Sequence, residues 1–218
     1  MLQDRLEPNG QSPDPIESDL RRALSMMDDT WPMQNDRQDG LTRFVYRVHD
    51  LDELLSECER TGADLNYALH RWYNFVTSTA AEAAFCEAGA IPERNKRNHD
   101  IDIWLDGIPY DVKLTVYPKR LSTRPYDIST RAGKDQMMRW LYSHQSWQGR
   151  KELTNRLYVM VDETNPRRAY AKKADVDAMR RGARLFVDWT RGHGHHTLEI
   201  RDGGKVYRPY ADLVRIAA

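Results

Sequence analysis

Only two cysteines, Cys58 and Cys86, occur in the chain. Both fall in helix-like stretches and neither has a C-x-x-C partner, which excludes a disulfide framework and a cysteine zinc site and fits a reducing compartment. No apolar run approaches the length of a membrane span. The opening "MLQDRLEPNGQSPDP" lacks the apolar segment of a signal peptide, so the expected location is the cytoplasm. Internal repeats, low-complexity segments and Walker spacing are missing too; "RDGGK" at 201–205 reads as a plain hairpin turn.

Net charge is also absent: 33 Lys and Arg balance 33 Asp and Glu. The balance hides a division. Residues 1–111 hold 11 basic and 22 acidic residues, and residues 112–218 hold 22 basic and 11 acidic. Such asymmetry points to a polyanion-binding face on the basic half, unless the charges mix in space.

The 218 residues, 40% hydrophobic and 30% charged, suffice for one full domain. Residues 1–15 read as a disordered tail and 16–218 as a single α/β domain. Helices are expected over 17–29, 51–60 (with Asp50 as N-cap), 134–147 and 173–183, the last ending near Gly182. Residues 30–40 and the basic stretch 118–133 read as loops. "LTRFVYRV" allows a strand or the lead into a helix. "RLYVMVDE" (156–163) reads as a buried strand, and "RLFVDWT", "HTLEIRD" and "KVYRPY" as short strands.

The strongest helical signal runs from Asp64, a capping residue, to Gly89. Leu65, Leu69, Trp72, Val76, Ala80 and Ala83 give it one apolar face. A polar stripe, His70, Asn74, Ser78 and Glu82, repeats at spacing four, so its members stack on one side. Aromatic neighbours such as Trp72, Tyr73, Phe75 and Phe85 argue that this stripe is partly buried and needs partners.

"HDIDIWLDGIPYDVKLT" (99–115) reads as a hairpin closed by Asp106-Gly107. A two-residue loop pairs Leu105 with Ile108, Ile103 with Tyr110, Asp102 with Asp111, Ile101 with Val112, and Asp100 with Lys113. Alternation then puts Asp100, Asp102, Asp111 and Lys113 on one face. Two opposed carboxylates repel by up to about 1 kcal/mol, and a hard divalent cation between them reverses that sign.

These residues resemble the Asp…(Asp/Glu)-x-Lys signature of the restriction-endonuclease-like, PD-(D/E)XK nuclease superfamily. Asp102 matches the first acid, with Asp100 as its rival, and Asp111-Val112-Lys113 the second step. Glu82 stands where the superfamily often has a helix Glu. "QMMRW" supplies Gln136, with Trp140 four positions on. The similarity covers roughly residues 64–163 and departs from the pattern at Ile101, where proline is usual. It implies a mixed β-sheet flanked by helices and hydrolysis of phosphodiesters, usually in DNA, with Mg²⁺ or Mn²⁺. Asp102, Asp111 and the Val112 backbone carbonyl would hold the metal. Glu82 would hold a second metal or orient a metal-bound water, Lys113 would assist the water or the transition-state charge, and Gln136 would orient a neighbouring group. His70, Asn74 and Ser78 become candidates for the surroundings of the site.

Lys119, Arg120, Arg124, Arg131, Lys134 and Arg139 follow the hairpin and are candidates to neutralise DNA phosphates, giving salt-dependent binding. The contexts in view are defence, restriction or repair. A non-catalytic binding member of the fold and an RNA-directed nuclease are the alternatives. A homodimer, or a partner protein docked through the N-terminal extension to about residue 40, is a further expectation. "HGHH" (193–196) is mainly an incidental turn, with transition-metal binding the minor option.

Overall fold

The computed structural model describes residues 15–28, 32–95, 98, 100–121, 123–144 and 152–217. The expected tail therefore falls outside the described residues except at Pro15, where the first helix begins.

Four helices come first: α1 (Pro15–Met26), α2 (Asp36–Leu41), α3 (Leu51–Thr61) and α4 (Leu65–Glu87). Side-chain caps start three of them. Asn35 accepts from Gln38 N–H, Asp50 from Glu53 N–H and Asp64 from Tyr67 N–H. The Asn35 cap is why a helix stands inside the stretch read as a loop. A 3₁₀ turn, Arg43–Tyr46, replaces the undecided "LTRFVYRV". Leu20, Ala23, Leu51, Leu54, Leu69 and Trp72 join these helices in one buried cluster, so the described part of the N-terminal extension packs on its own chain.

The sheet has five strands in the order β1 (Ile91–Pro92), β2 (Ile103–Leu105), β3 (Ile108–Val116), β4 (Arg156–Asp162), β7 (Ala211–Ala217). β1, β2 and β3 are antiparallel; β3, β4 and β7 are parallel, which makes the sheet mixed. Parallel strands need crossovers. Helix α5 (Arg131–Ser143) joins β3 to β4, and α6 (Pro166–Lys173) with α7 (Val176–His193) lies between β4 and β7. One sheet face packs Val112, Leu157, Val159 and Val214 against α4 and α7 through Ala84, Phe85, Met179 and Val187. The other packs Tyr158, Met160 and Leu213 against Met137, Met138 and Tyr142 of α5. A small hairpin, β5 (Ile200–Asp202) and β6 (Lys205–Tyr207), turns through Gly203 and Gly204.

Three expectations are corrected. Helix α5 starts at Arg131 because Thr130 caps it, accepting from Gly133 N–H. "RLFVDWT" is helical, not a strand: α7 continues through Gly182, burying Val176, Met179, Ala183, Val187 and Thr190 at helical spacing. Gly182 is a contact residue, since a Cβ there would sit 3.1 Å from Val214 Cγ1. Strand β7 also stands where no strand was read. Among the described residues no helix is long and apolar enough to cross a membrane.

Candidate active site

The hairpin forms with the expected turn. Asp106 and Gly107 both have positive φ, 49° and 83°, as a primed two-residue turn requires. Leu105 pairs with Ile108 and Ile103 with Tyr110. There the ladder stops. Asp102 N–H donates to Tyr110 O at 2.9 Å, and its carboxylate Oδ2 accepts Val112 N–H at 2.7 Å. A side chain thus replaces the next strand carbonyl, so Ile101 does not pair with Val112. Asp100 is exposed, and its N–H turns to Asn98 Oδ1 instead of lying beside Lys113. The physical reason lies in the flanking strand: the Asp102 carbonyl accepts Glu93 N–H, which draws the chain toward β1.

This divergence leaves an open edge on β3. By strand alternation the Val112 carbonyl points the same way as its N–H, into that edge beside Asp102. Glu82 reaches the same region from α4. Burial pushes its carboxyl up to about 7, with the charges of Asp102 and Asp111 adding to the rise and Lys113 opposing it. Such mutual influence places the four groups in one electrostatic neighbourhood.

Asp111 is held from both sides. Lys113 Nζ lies 2.5 Å from Oδ1, and Arg156 Nε lies 3.2 Å from Oδ2. Burial raises the Asp111 carboxyl, and the two cations work against that rise. The cations differ in freedom: the Lys113 side chain is 47% exposed and that of Arg156 only 5%. Arg156 also stands over the Tyr142 ring at 5.7 Å and pairs with Glu152 at 3.0 Å.

Arg156 is a residue that sequence reasoning missed. Its signal was present: an arginine opening a fully buried strand must have an anionic partner. The same logic applies at the far end of β4, where buried Asp162 takes Arg124 and Arg215, each at 2.8 Å.

The remaining candidates disperse. Gln136 is exposed on α5 and enters none of the hydrogen bonds described at the carboxylates. In the polar stripe, His70 Nε2 lies 3.2 Å from Asp28 O, and Asn74 Oδ1 accepts from buried Lys173 Nζ at 3.0 Å. Those partners hold both residues away from the hairpin, while Glu82 feels the charges of Asp102, Asp111 and Lys113. Lys119 and Arg120 are exposed on a short turn past β3. Arg124 is taken by Asp162, Arg131 by Asp212 at 2.5 Å, and Arg139 donates to Glu199 O. Lys134 is half-buried. The histidines of "HGHH" part company. His193 Nδ1 is 2.9 Å from Trp189 O, His195 Nδ1 is 2.7 Å from Tyr110 Oη, and His196 Nε2 is 3.0 Å from Asp135.

Among the described residues no three His, Cys, Asp or Glu side chains stand in an arrangement that could hold a metal ion together. No protein-family model, curated protein or solved structure matches the chain.

Proposed function

We propose that this protein is a divalent-metal-dependent nuclease that hydrolyses phosphodiester bonds, with DNA as its substrate. The observation that carries the reading is that Asp111 contacts Lys113 while Glu82 feels the charges of Asp102, Asp111 and Lys113 beside the open edge of β3. Burial, Asp102 and Asp111 raise the proton affinity of Glu82, and burial and Asp102 raise that of Asp111, a cost that a bound cation would remove. The element order adds support: α4, hairpin, α5, then β4 parallel to β3 is the arrangement expected of a restriction-endonuclease-like core.

The donor set is all oxygen, which fits Mg²⁺ or Mn²⁺. Asp102, Asp111 and the Val112 carbonyl would hold the ion, and Glu82 would hold a second one or orient a metal-bound water. When bound, it supplies Lewis-acid polarisation of the phosphate and lowers the proton affinity of water. The protein's own groups then divide the work. Glu82, facing the same charges from α4, orients the attacking water. Lys113, on an exposed side chain, stabilises the charge that develops on the phosphate oxygens. Arg156 keeps Asp111 oriented.

A plasmid, single-strand and RNA cleavage assay with Mg²⁺ or Mn²⁺ tests this. Cleavage should stop in EDTA and fall at least about a hundredfold in Asp111→Asn and Lys113→Ala, the size usual for removal of a group acting in the transition state. Metal-dependent cleavage that survives both substitutions would place the chemistry elsewhere.

A second reading has its own observation. Both oxygens of Asp111 already face cations, as they would in a nucleic-acid-binding or complex subunit of this fold without turnover. Tight DNA binding with no cleavage of any substrate would select it.

A further inference from the structure

A groove of about 430 Å³ runs beside β7, on the edge of the sheet away from the hairpin. Its size falls in the range of small-ligand sites, roughly 300–1,000 Å³. Its two walls differ in kind.

One wall is cationic. Arg131 and Lys134 enter from the first turn of α5 and Arg215 from β7, while Asp212 is the one carboxylate lining the groove. Arg131 leans on Asp212 at 2.5 Å, and Arg215 is shared with Asp162 at 2.8 Å. Lys134 makes no ion pair or side-chain hydrogen bond among the described residues. Burial, together with the positive charges of Arg131 and Arg215, holds its ammonium below the usual lysine range, against the pull of Asp212. The positive end of the α5 dipole lies at this wall as well, since both residues belong to the helix start.

The other wall is apolar and comes from α7. Leu185, Phe186 and Trp189 line it, with Leu185 73% and Trp189 47% exposed. One face of the Trp189 indole is stacked on His193, with centroids 4.6 Å apart and planes 10° apart. Excess positive charge opposite an uncovered aromatic surface matches a ligand that has an anionic end and a flat apolar end.

We propose that this groove binds a nucleotide, its phosphate on Lys134, Arg131 and Arg215 and its base against Trp189. The site is separate from the carboxylates and does not rest on the nuclease reading. The same chemistry is carried by a free mononucleotide and by the terminal nucleotide of a strand.

Titration calorimetry on the full chain in EDTA, which keeps metal out, tests it with inorganic phosphate, deoxyadenosine and 5′-dAMP. The nucleotide should bind at least about tenfold more tightly than either fragment, since base stacking is worth about 1–3 kcal/mol. Lys134→Gln and Trp189→Leu should each weaken 5′-dAMP about tenfold at unchanged melting temperature. The two substitutions act on opposite walls, so one unfolded variant leaves the other informative. Oligonucleotides with and without a 5′-phosphate separate the sources. A phosphate-dependent gain in oligonucleotide binding assigns the strand end, and binding of 5′-dAMP alone assigns the free nucleotide. Absence of 5′-dAMP binding, phosphate binding as tightly as 5′-dAMP, unchanged affinity in both variants, or capture of an acidic peptide in place of the nucleotide would overturn the proposal.

Discussion

Glu82 has an elevated proton affinity, and that has a thermodynamic consequence. Its carboxyl rises from an ordinary value near 4.5 to about 7, with burial the larger cause and Asp102 next. Between those values the folded chain holds a proton that the unfolded chain has released. Stability contributed by this group is therefore complete below about pH 4.5 and is lost as pH rises through about 7. Glu82→Gln removes the titration. Thermal melts in EDTA should show the variant gaining on the parent steadily from pH 5 to pH 8. A parallel pair of curves would mean that Glu82 is neither buried nor near the other carboxylates. Lys173 carries the opposite shift, down to about 8 by burial, so near neutral pH its positive charge weakens the fold.

At the scale of elements, the point where β2 parts from β3 does the most. Asp102 there serves the backbone as well as the proposed metal, by accepting Val112 N–H. The two roles separate by substitution. Asp102→Asn retains an acceptor oxygen and should cost less than about 1 kcal/mol in urea unfolding, while Asp102→Ala leaves Val112 N–H unmet and should cost about 1–3 kcal/mol. Both should abolish cleavage.

The same elements mark what the chain made legible. The Asp106-Gly107 turn, the Asp50 and Asp64 caps and the Ile103–Tyr110 register follow from local chemistry, and they stand as read. The register past Ile103 does not, because it depends on Glu93, one residue past β1, holding the Asp102 carbonyl. Gly182 looked like a helix end, yet its missing side chain serves contact with Val214, seen only once β7 is in place. At the site, Lys113 contacts Asp111, and the charges of Asp102, Asp111 and Lys113 reach Glu82. Gln136 does not join them, since Met137 and Met138 take the buried side of α5. Arg156 was hidden because its partner lies 45 positions earlier in the sequence.

For the molecule as a whole, α4 is the connecting beam. One end, with Leu69 and Trp72, lies in the helical cluster; the other, with Ala84 and Phe85, lies on the sheet. The acidic and basic halves of the sequence meet along this frame in pairs such as Glu87 with Arg180 and Asp111 with Arg156. The Lys113 contact with Asp111 then bears on how the protein lives without metal. The fold carries a tethered counter-ion of its own, so the carboxylates are partly neutralised before any ion arrives. Under the proposed reading a divalent ion would have to displace this ammonium from Asp111, so the fold itself would not require the ion. The expected outcome is a cooperative melt at pH 7 in chelator, with added Mg²⁺ raising the melting temperature, in contrast to proteins whose metal is a structural member and which unfold without it. On the proposed reading, such a protein would persist as a folded, silent form wherever divalent ions are scarce and be switched on by their return.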